Sequence, residues 1–177
     1  MPRIQPVNPD TADPATAELL NSVKKSTGLV ARSMANSPAV ARAYLGFAQA
    51  LDGGVLPRRL REQIAPAVGE AIACTYCVAA HTALGRRAGL TEQETKEARR
   101  ASSPDAKERP ALEFARKVVQ ERGVVADEDV EQLHRAGYTD GEIGEIVANV
   151  ALNLFTNYFN HIAGTEVDFP AAPDLAA

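Results

Sequence analysis

The sequence predicts one all-α domain of about eight helices spanning residues 1–177, and three observations carry that expectation. Helix-start signals recur along the chain: Asp13-Pro14 and Ser37-Pro38 each place a capping side chain before a proline, and Thr91/Glu94 and Thr139/Glu142 have capping-box spacing. Apolar residues return every three or four positions, the period of a helix with one buried face. No stretch alternates in strand fashion, and the hairpin-like dipeptide Asp52-Gly53 falls between two helical patterns.

Taken in order, a first helix starts at Asp13-Pro14 and can end at Gly28, and a second runs from Ser37-Pro38 to Gly53-Gly54. Leu56-Pro57 opens a third, from Arg58 to about Ala71; Pro66 lies inside it, where the missing N–H predicts a kink. Helix formers continue from about Ala73 to Ala88 and stop at Gly89, after which the Thr91/Glu94 box starts a short helix to Arg100. Ser103-Pro104 reads as the next start, for a helix whose stripe Ala111, Leu112, Phe114, Ala115, Val118, Val119 ends at Gly123. A short helix covers about Asp127–Ala136, and the last runs from about Asp140 to Ala163, closed by Gly164. Residues 170–177, rich in Pro and Ala, are expected to form an extended tail.

The net charge of -4, with Lys and Arg scattered among acids, gives no basic face, so neither a nucleic-acid nor a membrane partner is expected. The first residues lack the apolar run of a secretory signal, which makes the cytoplasm the expected location. The last helix is too polar for a bilayer, because Glu145, Asn149, Asn153, Asn157, Asn160 and His161 interrupt it. It is expected to be a central core helix or the interface of a homo-oligomer, since it carries more apolar surface than one face can bury. No phosphate-cradling glycine pattern is present, and no organic cofactor is expected.

The chemistry concentrates in Cys74-Thr75-Tyr76-Cys77-Val78-Ala79-Ala80-His81. On a helix these offsets of three and four put two thiols and an imidazole on one face. A cysteine thiol is mostly protonated at neutral pH, and a helix first turn beside an imidazole is the setting that frees its thiolate. That thiolate can attack a peroxide oxygen, and the sulfenic acid that results can condense with a second thiol one turn away. Cys77 is the better nucleophile candidate because His81 lies one turn on; Cys74 then resolves. A staple is disfavoured, because so short a loop removes little chain entropy. Two other readings stand beside catalysis. The cysteines can be small buried hydrophobes, or ligands of zinc with His81; a structural zinc site wants four ligands and no second Cys pair exists, so no metal is expected. Tyr76 is a candidate to donate to a substrate oxygen or simply packs. Asn153, Asn157 and His161 form an i, i+4, i+8 stripe, which makes Asn157 and His161 substrate-binding candidates. Glu70 precedes Cys74 by four residues but lies near the end of its helix.

Glu62, twelve residues before Cys74, completes the pattern Glu-x11-Cys-x-Tyr-Cys-x3-His. This resembles the alkylhydroperoxidase D group of the carboxymuconolactone decarboxylase superfamily. The likeness is strongest over residues 55–90 and extends to the C-terminus through Asn157-Tyr158-Phe159-Asn160-His161 and Gly164-Thr165-Glu166-Val167-Asp168-Phe169-Pro170, which is similar to the peroxidase-related members. Tyr76 stands where the best-studied enzymes carry a second histidine. The resemblance implies an all-helical subunit of the alkylhydroperoxidase D-like type that forms symmetric oligomers, a trimer or a multiple of it. It also implies that Glu62 and His81 relay a proton to the dithiol. By spacing alone, Glu62, flanked by Arg58, Arg59 and Arg61, reads as a solvated residue. The expected activity is a dithiol peroxidase or disulfide oxidoreductase acting on small hydroperoxides, with a dithiol or lipoyl-type protein as reductant. The alternatives are a non-catalytic redox sensor or interaction protein, and decarboxylation of the superfamily's other type.

Overall fold

The computed structural model describes residues 1–22 and 28–175. Among them are nine α-helices, one 3-10 turn at Pro9–Thr11 and no strand. The helices are α1 (Pro14–Ser22), α2 (Gly28–Met34), α3 (Pro38–Asp52), α4 (Arg58–Ala71), α5 (Thr75–Arg87), α6 (Glu92–Arg99), α7 (Glu108–Gln120), α8 (Asp127–Arg135) and α9 (Asp140–Ala163). None is long and apolar enough to cross a membrane.

The capping signals act where the sequence puts them. The Asp13 carboxylate accepts from the amides of Ala15 and Thr16, and Ser37 accepts from Val40. Both capping boxes are complete, and Gly164 closes α9 in the left-handed region at φ 61°. Two expected boundaries are corrected. Gly28 does not end a first helix but begins α2, a ninth helix that the sequence reading did not separate; residues 23–27 lie outside the described residues. At φ +64° Gly28 suits a turn, and a Cβ there would collide with the Tyr76 hydroxyl and the Phe169 ring. Ser103-Pro104 does not start α7 either. Ser103 Oγ accepts from the Asp105 amide and donates to Glu108, and the Asp105 carboxylate caps the amides of Lys107 and Glu108, so the helix begins four residues after Pro104.

Helix α4 is the hub, packed against α5, α6, α7 and α9. It can be buried nearly all round because its inner positions include the small residues Ala65, Ala67 and Gly69. Gly69 lets the first turn of α5 approach: an added Cβ would sit 3.5 Å from Cys77 Cβ and 3.3 Å from Val78. Seven residues earlier, a Cβ added at Gly85 would sit 3.7 Å from the Glu62 carbonyl oxygen, so α4 and α5 run antiparallel. Pro66 sits inside α4, which continues through it, and its missing N–H leaves that same Glu62 carbonyl without its helical donor.

Two hydrophobic clusters result. The larger gathers Leu60, Ile64 and Val68 of α4 with Leu112 and Phe114 of α7, Leu133 of α8 and Ile146 and Val150 of α9. The smaller packs Val30 and Met34 of α2 around Cys74, Tyr76, Cys77 and Ala80. Glu145 of α9 ties the α3–α4 loop by accepting from the amides of Val55 and Leu56 at 2.8 and 2.9 Å, with Gly54 leaving room for the carboxylate. The tail from Thr165 is non-helical as far as it is described, but it is anchored: Arg99 donates to the Pro173 carbonyl and Arg100 to that of Leu175.

Candidate active site

Helix α4 ends and α5 begins within three residues. Ala73 takes the left-handed region at φ 55°, and the Cys74 amide bonds back to the Gly69 carbonyl at 2.9 Å. That turn makes Cys74 the N-cap of α5, with Sγ accepting from the Cys77 amide at 3.3 Å. One turn separates the two cysteines, which are joined as a disulfide with 5.4 Å between their Cα atoms.

A cavity of about 700 Å³ opens beside the pair, between α3, α4, α5 and α9. Cys77 lines it, whereas Cys74, 1% exposed, does not. His81 and Glu62 line it too, and His81 Nδ1 lies 3.0 Å from Glu62 Oε2. A carboxylate can only accept, so Nδ1 carries the hydrogen and Nε2 is left as the basic nitrogen. The arginines flanking Glu62 do not claim it. Arg59 pairs with Glu94 and Glu108, and Arg61 holds Asp52 and the Leu51 carbonyl. Glu70 is turned to Arg99 at 2.9 Å. Among the described residues no three His, Cys, Asp or Glu side chains converge as a metal site.

Tyr76 lines the same cavity with its hydroxyl committed elsewhere. It accepts from the Val30 amide at 3.4 Å and donates to Asp168, and its ring meets Phe169 edge-on at 5.8 Å. Burial pushes this phenol well above the ordinary tyrosine value, and the Asp168 charge adds to the shift. Asp168 in turn accepts from the Leu29 amide at 3.0 Å, so the tail caps α2. Asn157 and His161 stand apart from the cavity. Asn157 is fully buried with its amide donated to the Asn153 carbonyl, and His161 is exposed, its backbone carbonyl taken by Arg3. Asn149, Asn153 and Asn160 line the cavity in their place.

Two neighbours escaped the sequence reading. Tyr44 of α3 faces the cavity, its phenol raised by burial and then by the charge of Glu62. Asn160 donates from Nδ2 to Cys77 Sγ at 3.3 Å. Tyr44 has no sequence signal, being one apolar-stripe residue among others. Asn160 lies in the noted Asn157–His161 block, but nothing local says that it meets a cysteine 83 residues away.

Residues 38–121 match the model of the carboxymuconolactone decarboxylase family. The fold is shared with solved structures at low identity. An uncharacterized peroxidase-related protein from Ralstonia eutropha JMP134 with an alkylhydroperoxidase AhpD core is 24% identical, with a TM-score of 0.83 over 94% of this chain and 92% of its own. An uncharacterized peroxidase-related protein from Silicibacter sp. TM1040 is 22% identical, with a TM-score of 0.80 over 98% and 96%. The debrominase Bmp8, solved as a cysteine-to-alanine variant in complex with 2,3,4-tribromopyrrole, is 22% identical, with a TM-score of 0.81 over 93% and 91%. No curated protein matches the sequence significantly. The stretch from α3 to α7 that contains both cysteines thus carries the match to the carboxymuconolactone decarboxylase family, within a helical fold shared with AhpD-like proteins.

Proposed function

We propose that the chain is a dithiol peroxidase, reducing small hydroperoxides with Cys77 as nucleophile and Cys74 as resolving thiol. The observation that supports this best is the asymmetry of the pair: one sulfur faces the cavity that holds the His81–Glu62 couple, and the other caps the helix behind it. In the reduced protein His81 Nε2 takes the Cys77 proton, while Glu62 holds the ring in the tautomer that leaves Nε2 basic. The thiolate attacks the terminal oxygen of R–O–OH; the S–O bond forms as O–O breaks, and the departing alkoxide takes a proton from the imidazolium to leave as the alcohol. Cys74 then attacks the sulfenic sulfur, forming the disulfide and releasing water, which completes a two-electron oxidation of the dithiol. A dithiol or lipoyl-type carrier protein returns both electrons by exchange through Cys77, the reachable sulfur, with Cys74 leaving as a thiolate stabilised by the α5 N-terminus. No organic cofactor or metal enters these steps.

The working form is proposed to be a cytoplasmic homo-oligomer. In support, Val147, Phe155, Tyr158 and Ile162 leave a stripe of α9 exposed in the isolated chain. Peroxide consumption with a panel of dithiol donors tests the activity: sustained turnover that is lost in Cys77→Ser is expected. One oxidation per chain with every donor would instead make it a redox sensor.

A further inference from the structure

We propose that Asn160 is a further residue of this chemistry, gripping the Cys77 sulfur with one end of its amide and the hydroperoxide with the other. The proposal rests on the thiol-peroxidase reading above. Four asparagines lie buried along α9, and three behave alike: Asn149, Asn153 and Asn157 each donate Nδ2 to the carbonyl four residues back. Asn160 departs from that habit and reaches off its own helix to Cys77 Sγ at 3.3 Å. The side chain is 5% exposed, it lines the cavity, and its Oδ1 is buried with no partner among the described residues. Asn157 also has an unpartnered Oδ1, but it touches neither the sulfur nor the cavity. A buried acceptor with no donor is uncommon unless something that visits the site supplies one.

The chemistry of a hydroperoxide fits both ends. The Cys77 thiolate is an anion at a buried position, and an amide N–H aimed at the sulfur favours that anion over the thiol. R–O–OH carries a single O–H donor, on the oxygen that the sulfur attacks. When Oδ1 accepts that hydrogen, the electrophilic oxygen is held beside the sulfur that Nδ2 already holds, so one rigid amide fixes both reacting atoms. The sulfenic hydroxyl formed at Cys77 can keep the same acceptor until Cys74 displaces it as water. The ionisable groups lining the cavity, which must be held constant in any comparison, are Tyr44 and Asp52 of α3, Arg58, Arg61 and Glu62 of α4, and Tyr76 and His81 of α5; the side chains that α9 contributes are uncharged.

Asn160→Leu removes both ends of the amide, and Asn160→Asp removes the donor but keeps an oxygen at the same place. In the full chain carrying Cys74→Ser, the pH dependence of thiolate absorbance reads Cys77 alone. Both variants should ionise at higher pH than the parent, with about tenfold less thiolate at neutral pH for a shift of one pKa unit. In the intact dithiol protein, single-turnover oxidation by cumene hydroperoxide at a pH where the thiol is fully ionised should be slowed in Asn160→Leu and largely retained in Asn160→Asp. Unchanged ionisation in both variants would overturn the sulfur contact, and an unchanged rate in Asn160→Leu would overturn the substrate contact. Should the leucine variant fail to fold, the isosteric aspartate decides the first point and Asn160→Ala the second. A wild type that never consumes hydroperoxide defeats the peroxidase reading, whereas displaced ionisation curves in that case still support the amide–sulfur half of the proposal.

Discussion

The two hydrophobic clusters of this chain are closed by different means. The larger, around Ile64, Leu112, Leu133 and Ile146, is built from side chains that each helix's own periodicity turns inward. Its helix ends are fixed locally, by the Thr91–Glu94 and Thr139–Glu142 boxes, whose partners are three residues apart. The smaller, around Val30, Met34 and the cysteines, is closed by contacts between distant segments. Tyr76 meets Val30 across 46 positions, Asn160 meets Cys77 across 83, and Asp168 meets Leu29 across 139. Reactive groups are concentrated in the second region, where polar side chains already take part in closing the fold. The first region holds shape, and the second holds chemistry.

Separating those roles gives the largest expected effect. His81→Ala should slow peroxide oxidation of Cys77 by about 10²–10⁴-fold at neutral pH, the usual worth of general acid–base help. The defect should shrink at high pH, where hydroxide ionises the thiol unaided, and the urea midpoint should hardly move. Glu62→Gln should follow the same trend more weakly. Rate–pH curves that overlap for wild type and both variants would leave the couple structural and erase the contrast between the regions.

The converse experiment is Leu112→Ala in the larger cluster, where a fully buried side chain is truncated. It should cost about 2–5 kcal/mol in urea denaturation while the oxidation rate per folded molecule stays at the wild-type value. A matching loss of rate would mean that the cavity geometry depends on distant packing.

Opposite pH sensitivities sharpen the comparison further. Glu94 belongs to the larger region, and its carboxyl is lowered from 4.5 to about 2, first by the Thr91 backbone and side chain and then by Arg59. A depressed folded value means that its contribution is present above 4.5 and is lost as pH falls through about 2, so Glu94→Gln should flatten the acid limb of a Tm–pH plot. Tyr76 belongs to the smaller region, and its folded value is raised. Its contribution is full below the ordinary value of 10.0 and is lost as pH rises above it, so Tyr76→Phe should flatten the alkaline limb.

The smallest effect expected is that of Asp168→Ala. It removes the cap of α2, at a cost of about 1 kcal/mol. It should also bring the Tyr76 titration down toward the ordinary phenol value, which ultraviolet titration would detect.

Legibility in the sequence follows the same division. The start of α3 at Ser37-Pro38, the Thr91 and Thr139 boxes and the Gly164 stop are readable because a cap acts within about four residues of itself. Ser103-Pro104 misled for an instructive reason: the serine has the right chemistry, but its hydroxyl serves a turn whose own carboxylate, Asp105, does the capping. Gly28 misled because a glycine that can stop a helix can equally supply the left-handed turn that starts one. At the site, the one-turn spacing of Cys74, Cys77 and His81 was legible as a shared face. The pairing of Glu62 with His81 was suggested only by resemblance, since its arginine neighbours made it look solvated.

The chain's order of residues therefore determined by itself that the protein is helical, where most helices begin and stop, and that two thiols and an imidazole lie together, because each of these depends on groups within one or two turns. Tertiary structure alone decided that Cys77 and not Cys74 faces the cavity, that Asn160 rather than Asn157 or His161 reaches it, and that Tyr76 spends its hydroxyl on Asp168 and α2. Those outcomes depend on which faces of remote helices meet, and residues 83 or 139 positions apart carry no local trace of each other until the intervening helices have packed.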